Sequence, residues 1–188
     1  MDYENNVRRF PLRYTQPDGL SPDQRRIIEL LDKINDPDDR LVAFAQYCVR
    51  HRDLELTDAL LVEARGRQKD EDTPDAWYAV TVYDFLHDAP LRYRTLQEMI
   101  NHASGTPRYH AMGLELIAHT DPTSDEAKEQ CIRLSNVLLE TSPNDKDMMD
   151  VVKLAQRKIL GTHENDVKER IIFARHRKKF YAHRITTV

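Results

Sequence analysis

Apolar residues along this chain recur three and four positions apart, in bursts divided by short polar segments rich in Pro, Asp, Ser and Thr. That period puts each burst on one face of a helix, and no segment shows the period-two alternation of a half-buried strand. Ser21-Pro22-Asp23-Gln24 is a helix start, with Ser as N-cap, Pro at the first helical position and Gln three residues after the cap. The stripe Ile27, Leu30, Leu31, Ile34 follows it. Asn35-Asp36-Pro37 predicts a second start, with Leu41, Phe44, Ala45 and Cys48 buried and Val42 and Val49 widening the face. A third helix uses Leu56, Ala59, Leu60 and Ala64, and Gly66 to Asp72 reads as the long polar loop after it.

The stretch from Thr73 to Pro107 is the densest. Ala76 to Leu86 is apolar on nearly every side, the mark of a helix enclosed by others. After a turn at His87-Asp88-Ala89-Pro90 comes an ordinary amphipathic helix, with Leu96, Met99, Ile100 and Ala103 on one face. Thr106-Pro107 starts a sixth helix (Tyr109, Met112, Leu116, Ile117), and Asp121 to Ser124 caps a seventh (Ala127, Cys131, Leu134, Leu138). Ser142 to Asp145 caps an eighth, with Met148, Val151, Val152, Ala155 and Ile159 on its buried stripe. Gly161 stops that helix, and Thr162 is positioned to cap a ninth. In the ninth, Val167, Ile171 and Ala174 form the docking stripe, helped by Ile172 and Phe173.

Pro37, Pro74, Pro107 and Pro143 fall at intervals of 37, 33 and 36 residues, the spacing of a recurring two-helix unit. The expected fold is all-α: about nine helices in antiparallel pairs, as a short helical-repeat array or a compact α-bundle. The architecture resembles the tetratricopeptide repeat, with Trp77 and Val80 in register with its pattern. Thr81 stands where that pattern has glycine and Asp84 where it has tyrosine. The expected organisation is an extended arm over 1–20, a helix-pair domain over 21–162, and a basic terminal helix over 163–188 packed on the same domain.

Charge changes the picture at the C-terminus. Residues 163–188 carry seven Lys/Arg against three acids, a balance of +4, so a net charge of −4 leaves −8 on the remainder. Five glycines tell against a turn-dense β fold, and two cysteines, Cys48 and Cys131, are too few for a disulfide framework. The opening residues lack the basic-then-apolar layout of a secretory signal, which points to the cytoplasm, with signal-less export as the alternative. The arm's Arg8-Arg9-Phe10-Pro11-Leu12-Arg13-Tyr14 mixes basic and aromatic residues with no helical period.

Three functions follow as expectations. The leading one is a non-enzymatic scaffold, adaptor or chaperone-like module, holding a protein or peptide in a groove between helix pairs, without a cofactor. Its partner-binding residues are Arg175, Arg177, Lys178, Lys179, Phe180, Tyr181 and Arg184, a basic run with two aromatics. The same run suits nucleic-acid phosphates with a stacked base, although a pI near 6.1 for the whole chain is against a dedicated nucleic-acid binder. The alternative is enzymatic. Tyr83-Asp84-Phe85-Leu86-His87-Asp88 resembles the His-Asp signature of HD-type metal-dependent phosphohydrolases. The resemblance implies His87 and Asp88 as metal ligands, with His51 upstream and Asp121 or Asp125 as the later acid. Ala89-Pro90 departs from that family's continuation, and Asp88 has a competing reading as N-cap of the helix after it. His102, His110 and His119 match no tight metal spacing and read as helix-end groups.

Overall fold

The computed structural model describes residues 20–185, with side chains as far as Lys179. Among the described residues there are nine helices and no strand. They are α1 (Pro22–Leu31), α2 (Pro37–His51), α3 (Leu54–Asp70), α4 (Pro74–Leu86), α5 (Arg92–His102), α6 (Pro107–Thr120), α7 (Asp125–Thr141), α8 (Lys146–Leu160) and α9 (Glu164–Ile185). None is long and apolar enough to cross a membrane. The arm read over 1–20 lies outside the described residues but for Leu20.

Most of the starts are made by the residues that announced them. Ser21 and Gln24 form a reciprocal capping box, and Asp36, Thr73, Ser124 and Asp145 each accept a backbone N–H of the helix they open. Connections of two to five residues fold each helix back on the one before. The even-numbered helices therefore run the same way and form a row, α2 on α4, α4 on α6 and α6 on α8, with α3, α5, α7 and α9 covering them. The helices of the row are tied at both their N-terminal and C-terminal ends. At the N-terminal ends, Tyr109 of α6 donates to Asp75 of α4 at 2.9 Å. At the C-terminal ends, Arg52, just past α2, donates to the His119 carbonyl of α6 at 2.7 Å.

The core runs continuously along this row, from Leu41 and Phe44 through Val80 and Leu114 to Val152 and Ile171. Three sequence expectations are corrected. The segment from Gly66 to Asp70 is helical, not loop. Arg67 holds it by reaching back to Asp38 of α2 at 2.8 Å and on to Glu71 at 2.9 Å, which offsets the roughly 1 kcal/mol that a helical glycine costs. Leu30 is exposed, because α1 is short and packs only Leu31 fully. Ile172 and Phe173 do not help dock α9. Each residue turns the helix by about 100°, so with Val167, Ile171 and Ala174 inward these two face out, Phe173 at 70% exposure.

Gly113 lets side chains of α5 and α7 approach the backbone of α6 closely. A Cβ there would stand 2.8 Å from Leu96 Cδ1 of α5 and 3.5 Å from Leu134 Cδ1 of α7. Gly113→Ala sets a helix-propensity gain of about 1 kcal/mol against an overlap with one flexible methyl, and is expected to change stability by less than about 1 kcal/mol. Gly113→Val has no such escape and is expected to destabilise by about 2–3 kcal/mol in urea unfolding.

Candidate partner-binding site

The even row leaves an open groove across α2, α6 and α8. Its volume is about 420 Å³, and it is lined by Gln46 of α2, Arg108, Ala111, Met112 and Glu115 of α6, and Asp145, Asp147, Met148 and Val151 at the start of α8. The floor is apolar: Ala111 and Met112 are buried, and Met148 and Val151 half-buried. The rim carries charge of both signs. A shallow continuation, sharing Gln46 and Glu115, runs on past Arg50, Tyr78 and His119. Met148 and Val151, expected on the buried stripe, pack against the core but are only half-buried. α8 fully buries the adjacent stripe Met149, Val152, Ala155 and Ile159, and the open sides of Met148 and Val151 line the groove. Adjacent Met148 and Met149 on a helix apolar on two flanks were the available signal.

The basic run of α9 is partly spent on the protein's own body. Arg175 Nε donates to the Pro143 carbonyl at 2.7 Å, and Lys178 Nζ to the Thr141 carbonyl at 2.5 Å. Lys178 thereby satisfies the last carbonyl of α7, where the helix dipole favours a cation, and Arg175 a carbonyl of the loop after it. Arg177 stands 3.9 Å from Glu140, a loose exposed pair. Lys179 is exposed. The side chains of Phe180, Tyr181 and Arg184 lie outside the described residues. A separate cleft of about 710 Å³ runs between α7 and α9, with Leu139 and Ala174 deep in it and Glu140, Glu169, Arg170, Phe173 and Arg177 around them.

The residues of the His-Asp reading lie in separate settings. His87 Nε2 is 2.6 Å from Thr57 Oγ1, whose own proton goes to the Leu54 carbonyl at 2.6 Å. His87 Nε2 is thus engaged with a hydroxyl at the start of α3 and shares no bond with His51, Asp121 or Asp125. His51 stacks on Tyr47, centroids 4.3 Å apart. Asp121 Oδ2 accepts from Arg92 at 3.0 Å, from Tyr93 at 2.8 Å and from Ser124 at 2.8 Å. Asp125 pairs with Lys128 at 2.9 Å on the surface. Among the described residues, no three His, Cys, Asp or Glu side chains converge as a metal-ion site.

Asp88 is not an N-cap, which corrects the expectation. Helix α5 begins at Arg92 without a side-chain cap. Asp88 instead ends α4, in the left-handed region at φ 55°. Its N–H meets the Phe85 carbonyl at 3.3 Å while Ala89 N–H meets Asp84 at 2.8 Å, the paired bonds of a Schellman stop. His110 is likewise not a helix-end group at a C-terminus: it is buried in the first turn of α6, its Nδ1 3.2 Å from the Thr106 carbonyl. His102 and His119 do sit at the ends of α5 and α6, and each turns Nδ1 to the carbonyl four residues back. Burial pushes the Cys48 thiol up to about 12 and the Cys131 thiol to about 11, consistent with inert core residues.

Comparison with protein-family models, curated proteins and solved structures finds no match to this chain.

Burial alone would raise the Asp121 carboxyl, but hydrogen bonds from Arg92, Ser124 and Tyr93 outweigh it and hold the group below its ordinary value. The Arg67 bond does the same for Asp38. A carboxylate depressed in the folded state stabilises above the unfolded pKa and loses that contribution as pH falls through the folded one. Unfolding free energy is therefore expected to drop below about pH 4, with a shallower drop in Asp121→Asn, measured by urea titration at each pH. Asp88→Gly relieves a left-handed non-glycine residue and is expected to add about 0.5–1 kcal/mol. Thermal and urea melts would expose the error if that variant were less stable.

Proposed function

We propose that the chain is a non-enzymatic interaction module that takes a peptide segment of a protein partner in the groove across α2, α6 and α8. The observation that carries this reading is the groove's make-up: a floor of Ala111, Met112, Met148 and Val151, with Arg108, Glu115, Asp145 and Asp147 among the charged residues that line it. An apolar floor with a few charged groups around it is what peptide and ligand clefts need, one part for affinity and the other for orientation. Two methionines add adaptability, because an unbranched thioether refills space as the occupant changes. The partner segment would place one or two apolar side chains on the floor and a cation toward Asp145 and Asp147. Nucleic-acid binding through residues 175–184 is the weaker reading, since Arg175 and Lys178 already donate to carbonyls of α7 and its following loop.

The test is selection of peptides from a displayed random library on the immobilised chain. Wild type is expected to enrich sequences sharing a spaced apolar pair, and Met148→Glu to weaken the selected peptides by tenfold or more while remaining folded by circular dichroism at the assay temperature. Enrichment of no common pattern, or equal binding by Met148→Glu, would reject the groove.

A further inference from the structure

We infer that the chain pairs with a second copy of itself through the α7–α9 face, with the two α9 helices antiparallel and crossing at Phe173. The inference does not depend on the groove across α2, α6 and α8. It starts from an oddity of α9. A large aromatic stands 70% exposed in the middle of this helix, next to a cleft of about 710 Å³ that it helps to line. An aromatic at the edge of a cleft is self-complementary: under a two-fold operation at Phe173 the two rings pack on each other, each against the edge of the other copy's cleft.

The charges select this occupant over others. Glu169, Phe173 and Arg177 are spaced i, i+4, i+8, so they lie along one flank of the helix, and all three line the cleft. An acid sits four residues before the aromatic and a base four residues after it. A two-fold axis at Phe173 that sets the helices antiparallel brings position 173 − 4 of one copy opposite position 173 + 4 of the other. Glu169 then faces Arg177 of the second copy, and the same pair forms again by symmetry. The wider rim holds two acids, Glu140 and Glu169, and two bases, Arg170 and Arg177. With no net charge it does not favour a strongly basic or acidic partner, whereas it matches its own rotated image. Ile132, exposed on α7 at the i, i+4, i+7 spacing with Asn136 and Leu139, extends the apolar part of the same face.

The measurement is the mass of the full chain in solution by light scattering across a concentration series. Wild type is expected to approach twice 22.0 kDa, and to dissociate more readily as salt is raised. Phe173→Asp is expected to be monomeric. Glu169→Arg and Arg177→Glu are each expected to raise the dimer dissociation constant about tenfold, since symmetry removes two pairs at once. The double variant E169R/R177E, with both charges exchanged, is expected to recover much of the loss. None of the three side chains is in the core, so unfolding midpoints at monomeric concentrations should match wild type. A monomer at every concentration would overturn the proposal. So would a dimer indifferent to Phe173→Asp, or a double variant no better than the single ones.

Discussion

A helix that is apolar around its whole circumference has to be enclosed, and α4 sets that requirement for the entire molecule. Ala76, Tyr78, Ala79, Val80, Thr81, Val82 and Phe85 are all buried, so no single neighbour can cover them. α2, α3, α5 and α6 pack around it on its different sides. Once α2 and α6 are fixed against α4, the row has a direction, and α8 continues it against α6. The groove across α2, α6 and α8 is a by-product of that row: helices held side by side by their buried flanks leave their remaining face open. Thr81 shows how tight the enclosure is. Its hydroxyl is fully buried, and it finds its partner in the Trp77 carbonyl of its own helix at 2.7 Å.

Carboxylates fasten the junctions. Asp38 joins the start of α2 to the end of α3 through Arg67, and reaches the Thr73 cap of α4 at 3.3 Å. Asp72 takes the Trp77 indole N–H at 2.8 Å and lies 3.0 Å from His102, joining the α3–α4 connection to α5. Asp121 closes α6 and gathers Arg92 and Tyr93 of α5 with the Ser124 cap of α7. The acidity of the body is thus partly architectural. Several of the acids behind its net −8 satisfy helix ends or arginines across a connection, leaving others, such as Asp147, on an open rim.

Helix existence and most starts were legible because each rests on local chemistry. A Ser, Thr or Asp cap followed by Pro can be read without knowing the neighbours, and so can a stripe such as Leu56, Ala59, Leu60, Ala64. What was not legible depended on partners far along the chain. Gly66 to Asp70 looks like a loop until Arg67 is seen to reach Asp38, 29 residues away. Met148 and Val151 are as apolar as Met149 and Val152, and only the positions of α6, α7 and α9 decide which stripe is covered. Asp88 was misread for a different reason. Its residue type suits both a helix start and a left-handed stop, and the backbone conformation that separates them is not written in the side chain. Which residues line the candidate groove was not legible either, because they come from α2, α6 and the start of α8, far apart along the chain.

The two cysteines give this architecture a useful property. Cys48 lies on α2 and Cys131 on α7, toward opposite ends of the row, and both are fully buried. In a structure whose elements hold mainly their neighbours, one end can open while the other stays closed. A thiol reagent reacts only with an exposed, ionised sulfur, so the rate at which each cysteine is modified in the native protein is set by how often its own end comes apart. The chain thereby carries two internal probes of local opening that need no engineering, one for each half of its core.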